Sequence, residues 1–361
     1  MSAVIEVLSP GLQTTVQDLG RWGHQAVGVP VAGPMDPLSH RRANALAGNV
    51  RGAATLEVTL VGPALQFQDE RMVAVAGAEF DLFIDDIPAA FGQALMVRAG
   101  AVLRFGPRRR GARAYVAVAG GFDVPAVLGS RATHLSTRTG GWQGRALARG
   151  DRLPLGAVVA RAPGCSSQAR SVRPQADGIG PAEAGHYDKM RSLTSAVVRS
   201  VGSSDPVRSV GSSDPTTWWG LKTQPYVVRV LPGPQADRFM PEALDALVSA
   251  PYHVGVDSDR MGYRLTGPLL RHAAGADIIS DATLYGVLQV PGSGQPLLLM
   301  ADRPTTGGYP KLATVISADI GVAGQAAPGD SLHFRICDRA EAVSALMARE
   351  RSLLALESAW A

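Results

Sequence analysis

Lysine is almost missing from this chain: of 35 basic residues only three are lysines, Lys189, Lys222 and Lys311. Cysteine is nearly as rare. Cys165 and Cys337 form no CxxC pair and have no neighbouring ligand set, which argues against structural zinc and predicts a reducing compartment. No window reaches the roughly 18 apolar residues that span a bilayer, and the opening MSAVIEVLSPG has no basic region before an apolar segment, so a cytoplasmic protein without membrane contact is expected. Net charge is only +4 despite a pI near 9.3, and the one dense basic run is Arg108, Arg109 and Arg110. That argues against nucleic acid as a partner and reads as a solvated turn between strands. Neither a GxGxxG opening a helix after a strand nor GxxxxGK[ST] occurs, so dinucleotide and phosphate-loop folds have no support.

What the chain does have is 41 glycines, 25 prolines and many short runs of Val, Leu and Ala in 361 residues, the pattern of a β-rich architecture with many turns. TLEVTL, MVAVAG, DLFID, ALMVRAG, AVLRFG and RAYVAVAGG read as successive strands, with no regular alternation of strand and helix. Between the first strand and this series, Asp36 and Pro37 open a helix that Gly48 stops. Residues 163–223 change character. They are rich in Ser, Arg, Gly, Pro and Asp, contain VRSVGSSDP twice in tandem, and read as a disordered insert ending at Trp218 and Trp219. After it come a strand (YVVRVLP), a helix (PEALDALVSA) and four more strands: GVLQVP, QPLLLMAD, LATVISAD and SLHFRIC. A terminal helix follows, with an apolar stripe of Ala342, Leu346, Leu353 and Leu354. The expected organisation is therefore 1–160, an insert at 163–223, 224–337, and a helix over 338–361.

Chemistry concentrates in residues 299–318, LMADRPTTGGYPKLATVISA, where a compact polar loop joins two short apolar strands. Asp302, Thr306, Gly307, Gly308, Tyr309 and Lys311 lie there. The adjacent glycines allow positive φ and close backbone approach, although a tight turn would use the same residues. In a chain that otherwise writes its positive charge as arginine, a lysine in this loop suggests a need for a compact ammonium. Arg260, beside Met261 and Gly262, could hold an anionic group bidentately or join a salt-bridge network. Gln289 is polar in mid-strand. Asp18 and Arg21, in the long loop after the first strand, either face a cleft with His24 or pin the loop.

Three segments carry a resemblance: PGLQTTVQDLGRWG with GVPVAGPMD, SDRMGYRLTGP, and GVLQVPGSGQPLLLMADRPTTGGYPKLATVISADIG. They resemble the family of the C subunit of bacterial ATP-dependent 5-oxoprolinase, also labelled biotin-dependent carboxyltransferase and allophanate hydrolase subunit 2-like, which is similar to part of urea amidolyase. The likeness covers 1–160 and 224–355. It implies a mainly β fold of two tandem cyclophilin-like barrels with a few helices. It also implies the B and A subunits of 5-oxoprolinase as partners, and ATP, with Mg2+, as co-substrate for opening 5-oxo-L-proline to L-glutamate. On that resemblance Lys311, Asp302 and Tyr309 are the catalytic candidates. Arg260, Gln289, Thr306, Gly307, Gly308, Asp18 and Arg21 are the substrate-binding candidates, and no metal ligands are assigned. Two alternatives stay open. One is the carboxyltransferase component of a biotin-dependent urea or amide carboxylase, with biotin on a separate carrier because no lysine here has a biotinyl context. The other is a non-catalytic regulatory protein that antagonises a kinase inhibitor.

Overall fold

The computed structural model describes residues 4–158 and 226–359, so the expected insert at 163–223, with Cys165, Lys189, Lys222, Trp218 and Trp219, lies outside the described residues. The first half carries β1 (Val4–Ser9), β2 (Gln13–Gln17), α1 (Pro37–Leu46), β3 (Thr55–Thr59), β4 (Ala64–Phe67), β5 (Arg71–Ile84), β6 (Ile87–Ala89), β7 (Ala94–Val97), β8 (Val102–Val118) and β9 (Arg152–Pro154). The second carries β10 (Tyr226–Pro232), α2 (Ala243–Ser249), β11 (Tyr252–Val254), β12 (Gly262–Thr266), β13 (Asp281–Ala282), β14 (Val287–Gln289) and β15 (Leu297–Leu299). It continues with β16 (Thr306–Gly307), β17 (Lys311–Val315), α3 (Ile320–Gly324), β18 (Ser331–Ile336) and α4 (Arg339–Ala359). No helix among the described residues is long and apolar enough to cross a membrane.

The protein is mainly β, as expected, but its two halves close differently. The second half is a closed seven-stranded barrel in the order β10-β17-β14-β15-β12-β11-β18, sealed by the parallel pair β10–β18. The first half is a nine-stranded sheet, β2-β3-β8-β4-β1-β9, with β5 joined to β8 and carrying β6 and β7, and its path does not close. The reason lies in two long strands. MVAVAG and DLFID merge into β5, and AVLRFG and RAYVAVAGG merge into β8, because register shifts between Gly77 and Leu82 bend the pair without ending it. Arg108, Arg109 and Arg110 therefore sit inside β8 and not in a turn. Arg109 is paired with Asp81 at 2.6 Å and Arg110 with Glu79 at 3.8 Å, both on β5.

Where residues 73–78 of β5 run beside 112–118 of β8 the wall is buried on both faces, which explains why its sequence there runs apolar without alternation. Val73, Val75, Val116 and Val118 face the core of the first half. Ala74, Ala76, Tyr115 and Ala117 face a second core that also holds Met35, Ala43 and Leu46 around α1 together with the barrel interior, including Leu288, Leu298 and Ala313. Small alanines on that side let α1 come close. At the start of α1, Asp36 accepts from Leu38 N and Ser39 N, both at 3.1 Å, as the sequence predicts. The C-terminal helix forms over Arg339–Ala359 and lies against α1, with Arg41 bridging Glu350 at 2.7 Å and Glu357 at 3.0 Å. Of the expected stripe only Leu353 is buried, and Leu354 is exposed. Ion pairs, as much as apolar contact, hold this helix.

Candidate functional site

The loop between β15 and β17 has two sides that serve different ends. Both strands pair with β14, so the loop begins and ends one strand apart on the barrel wall. Asp302, at its start, turns inward toward the first half of the chain, while Arg303 stays against Tyr285 and Met300. The carboxylate of Asp302 receives Arg260 Nη2 at 2.8 Å and Nε at 3.0 Å, a bidentate pair. Arg260 also donates to Glu57 through Nη1 and to Gly33 O at 2.7 Å. Glu57 in turn receives Tyr115 Oη at 2.6 Å and Met35 N at 2.8 Å. Arg113 extends the cluster, donating to Tyr263 Oη and Gly324 O, each at 2.7 Å.

All of these groups are buried. Burial opposes ionisation of Glu57, but the guanidiniums of Arg260 and Arg113 and the Tyr115 hydroxyl outweigh it and hold its carboxyl below the usual range. Burial likewise opposes the charge on Arg260, and Asp302 and Glu57 overcome it, keeping the guanidinium charged. Arg303, packed 5.5 Å from the centroid of the Tyr285 ring, is pushed the other way by burial.

Asp18 and Arg21 belong to this inward side. Asp18 accepts from Ser130 Oγ at 2.6 Å, Arg131 N at 2.5 Å and Gly20 N at 2.9 Å. Arg21 donates to Ala132 O, and no ion pair joins it to Asp18. Together they pin the opening loop to residues 130–132. Burial lowers the Arg21 pKa, and Asp18 and then Asp302 oppose it, so both carboxylates are its electrostatic neighbours.

The outward side is a pocket on the barrel wall. Gln289 on β14 stands opposite Lys311 on β17 and Leu297 on β15, and Leu297 stands opposite Arg264 on β12. Directly paired residues project on the same face. The row Gln289, Leu297, Arg264 therefore crosses three strands, and Lys311 continues it on β17 across a register shift between Leu288 and Gln289, which leaves a cation at each end. Gln289, Leu297 and Arg264 line a cavity of about 290 Å3, with Met261 and Leu299 beside them, Asp257 and Asp259 at the β11–β12 side, and Pro304, Gly307, Gly308 and Tyr309 supplied by the loop. A second hollow of about 460 Å3 shares Arg264, Leu297 and Tyr309 with it and continues along the β14–β15 turn.

Within this pocket Gln289 Nε2 donates to Tyr309 O at 3.2 Å, which leaves Oε1 as its acceptor. Neither Gly307 nor Gly308 adopts positive φ. Gly307 instead lets the ribbon approach Gln289, since a Cβ there would lie 2.5 Å from Gln289 Nε2 and the amide would have to move. Thr306 is exposed on β16, which pairs with β13 to form a short ribbon over this edge of the barrel. Lys311 is buried, and its Nζ meets Asp281 Oδ2 on that ribbon at 2.6 Å. The ammonium, together with the Ala282 amide, holds the Asp281 carboxyl below the usual range.

The predicted residues thus separate into two groups. Gln289, Tyr309, Gly307 and Gly308 line the pocket, Thr306 lies on its ribbon, and Lys311 stands beside Gln289 with its Nζ turned to Asp281 of that ribbon. Asp302, Arg260, Asp18 and Arg21 gather between the halves, and no hydrogen bond or ion pair joins Asp302 to Lys311. The sequence reading missed Glu57, Arg113 and Tyr263 in the buried cluster and Asp281 beside the lysine. Glu57 had a legible signal, a lone acid in the apolar run TLEVTL. Asp281 had none, because it meets Lys311 only through the pairing of β13 with β16. Among the described residues no three His, Cys, Asp or Glu side chains cluster as metal ligands, and Asp257 and Asp259 are the carboxylates that line the pocket.

Comparison with known proteins places these features in a family. Residues 27–336 match the model described as carboxyltransferase domain, subdomain A and B. The C subunit of the 5-oxoprolinase of Escherichia coli (strain K12) is 33% identical over 348 residues, which cover 96% of each chain. The urea amidolyase of Lachancea kluyveri is 33% identical over 91% of this chain, which spans only 17% of that protein. The crystal structure of the Kluyveromyces lactis urea amidolyase superposes with a TM-score of 0.78 at 29% identity, covering 98% of this chain and 20% of that one.

Proposed function

The chain belongs to the family of the carboxyltransferase domain, subdomains A and B, and within it we propose that it serves as the C subunit of an ATP-dependent 5-oxoprolinase. On this reading it acts with the A and B subunits to open 5-oxo-L-proline to L-glutamate as ATP is hydrolysed. Relatives bearing the name of the 5-oxoprolinase C subunit match it over nearly their whole length, whereas the urea amidolyases match as a small part of a larger chain. The observation that carries the chemistry is the row Gln289, Leu297, Arg264 across the pocket floor, with Lys311 paired to Gln289 at its β17 edge.

A lactam carbonyl is a poor electrophile, and transfer of phosphate to its oxygen builds negative charge that fixed cations stabilise. Arg264 is the cation lining the pocket for that charge, Gln289 Oε1 is an acceptor suited to the ring N–H, Leu297 and Leu299 give the ring an apolar bed, and Lys311 beside Gln289 is the cation for an anionic group of the substrate. Mg2+ arriving with ATP needs one or two protein carboxylates, and Asp257 and Asp259 are the candidates. In a mixture of the three subunits, Lys311→Met is expected to lower kcat/KM for 5-oxoproline by about a hundredfold or more while the subunits still assemble. Unchanged turnover with assembly intact would leave this chain a binding role only.

The TM-score of 0.78 to a urea amidolyase favours a second reading, transfer of a carboxyl group from biotin on a separate carrier to urea or another amide. Supplying the chain with a carboxylated biotin carrier and urea, in place of 5-oxoproline and ATP, separates the two.

A further inference from the structure

The Lys311 ammonium and the Arg260 guanidinium are both buried cations, yet their partners differ in kind. Glu57 and Asp302, which neutralise Arg260, have side chains 1% and 3% exposed. Asp281, which neutralises Lys311, has a side chain 53% exposed, while that of the lysine is 3% exposed. Ammonium carries three N–H donors, and among the described residues Asp281 Oδ2 is the one side-chain or carbonyl acceptor that Lys311 Nζ meets.

The strand that brings this carboxylate is tied to the loop at both ends, by Ile278 N to Gly308 O at 2.9 Å and by Thr283 Oγ1 to Pro304 O, but it has little else. β13 pairs with β16 through Asp281 with Gly307 and Ala282 with Thr306, and with no further strand. Thr283 N donates to Thr305 O at 3.0 Å just beyond it. Around the ribbon the side chains of Ile279 and Leu284 stand 94% and 63% exposed, so little apolar packing fixes it. A carboxylate retained only to neutralise a buried lysine would be expected within the packing, as at Arg260. Here it reaches in from solvent, on the element that borders the pocket through Gly307.

We propose that Asp281 stands in for the carboxylate of the substrate, and that Lys311 is the subsite for the carboxylate of a small cyclic amide derived from an amino acid. Such a substrate displaces Asp281 from the ammonium, and the β13 carboxylate moves into the water it already half faces. One anion replaces another, so the buried lysine is paired throughout. The ring then lies along the row toward Gln289 and Leu297. A neutral amide such as urea or 2-pyrrolidinone has nothing with which to displace Asp281, which makes Asp281 a specificity-determining residue. The proposal rests on the 5-oxoprolinase reading for its substrate and on the Lys311–Asp281 geometry for its mechanism.

Asp281→Asn in the three-subunit mixture tests it. With the competing internal anion removed, KM for 5-oxoproline is expected to fall about tenfold, with KM for ATP unchanged. Combining Asp281→Asn with Lys311→Met should abolish the gain. An unchanged or raised KM in Asp281→Asn overturns the proposal. Calorimetric binding to the chain alone provides an arm that does not need turnover: Asp281→Asn should tighten 5-oxoproline and leave 2-pyrrolidinone as it was. If wild-type complex fails to turn over 5-oxoproline while this carboxylate-selective tightening is seen, the functional reading fails and the Lys311 subsite stands. Equal effects on the two ligands, or none, sink the subsite whatever the turnover.

Discussion

His40 is fully buried on α1, with Nδ1 2.9 Å from Thr55 Oγ1 and its ring edge-on to Tyr115, centroids 6.1 Å apart. Burial outweighs the attraction of Asp18 and Glu57 and lowers its pKa from 6.5 to about 4. Because the folded-state value is depressed, the unfolded chain binds more protons between those two pH values. Stability from the neutral ring is complete above pH 6.5 and falls as pH drops toward 4, by about 3 kcal/mol over the window. Urea denaturation of wild type and His40→Gln from pH 7 to pH 4 checks this: the variant should lose that part of the slope. Identical slopes would mean that the imidazole stays solvated in the folded protein.

At the scale of elements, the short helix α3 shows how closely the halves meet. Gly324 packs so tightly that a Cβ would overlap the Met35 carbonyl oxygen, and one at Gly321 would overlap Asp36 Oδ1. Asp36 is the cap of α1 and also accepts from Gln325 Nε2 at 2.8 Å, so one carboxylate starts a helix in the first half and receives a donor from the second. Gln325 Oε1 completes the link by accepting from Ala112 N at 3.1 Å and Arg113 N at 3.0 Å on β8. Backbone cannot yield as a flexible side chain would. Gly324→Ala should therefore cost about 1–3 kcal/mol, read as a lowered Tm, and a wild-type Tm would show that α3 and α1 are less tightly docked. The cap at Asp36 was legible from Asp-Pro before an apolar period. The glycines of α3 were not, since IGVAG looks like any small apolar turn until Met35 is placed beside it.

For the whole molecule, the cluster of Glu57, Arg260 and Asp302 joins β3 of the first half to the barrel. Removing one partner leaves a buried charge unpaired, so Glu57→Gln is expected to cost about 3–5 kcal/mol. Because the charge is shared, hydrogen exchange of amides in β3 and in β12, which Arg260 precedes, should quicken together. Acceleration confined to β3 would mean that the halves open independently.

Short β-branched and aliphatic runs, punctuated by glycine and proline, were enough to determine a mainly β chain with α1, α2 and α4 in the right places, though not α3, because period and turn chemistry are local. The same local chemistry marked 299–318 as the place where polar groups concentrate. Which of those groups meet was decided by tertiary structure alone. Asp302 and Lys311 are near in sequence, but the loop sends one to the guanidinium of a neighbouring strand's turn and the other to a carboxylate on a separate ribbon. Closure of one half and not the other also depended on distant partners, since it turns on how two bent strands find theirs. Backbone pairing across thirty residues has no signature in the residues between, so the ion pair of Lys311 with Asp281 existed only once β13 lay beside β16.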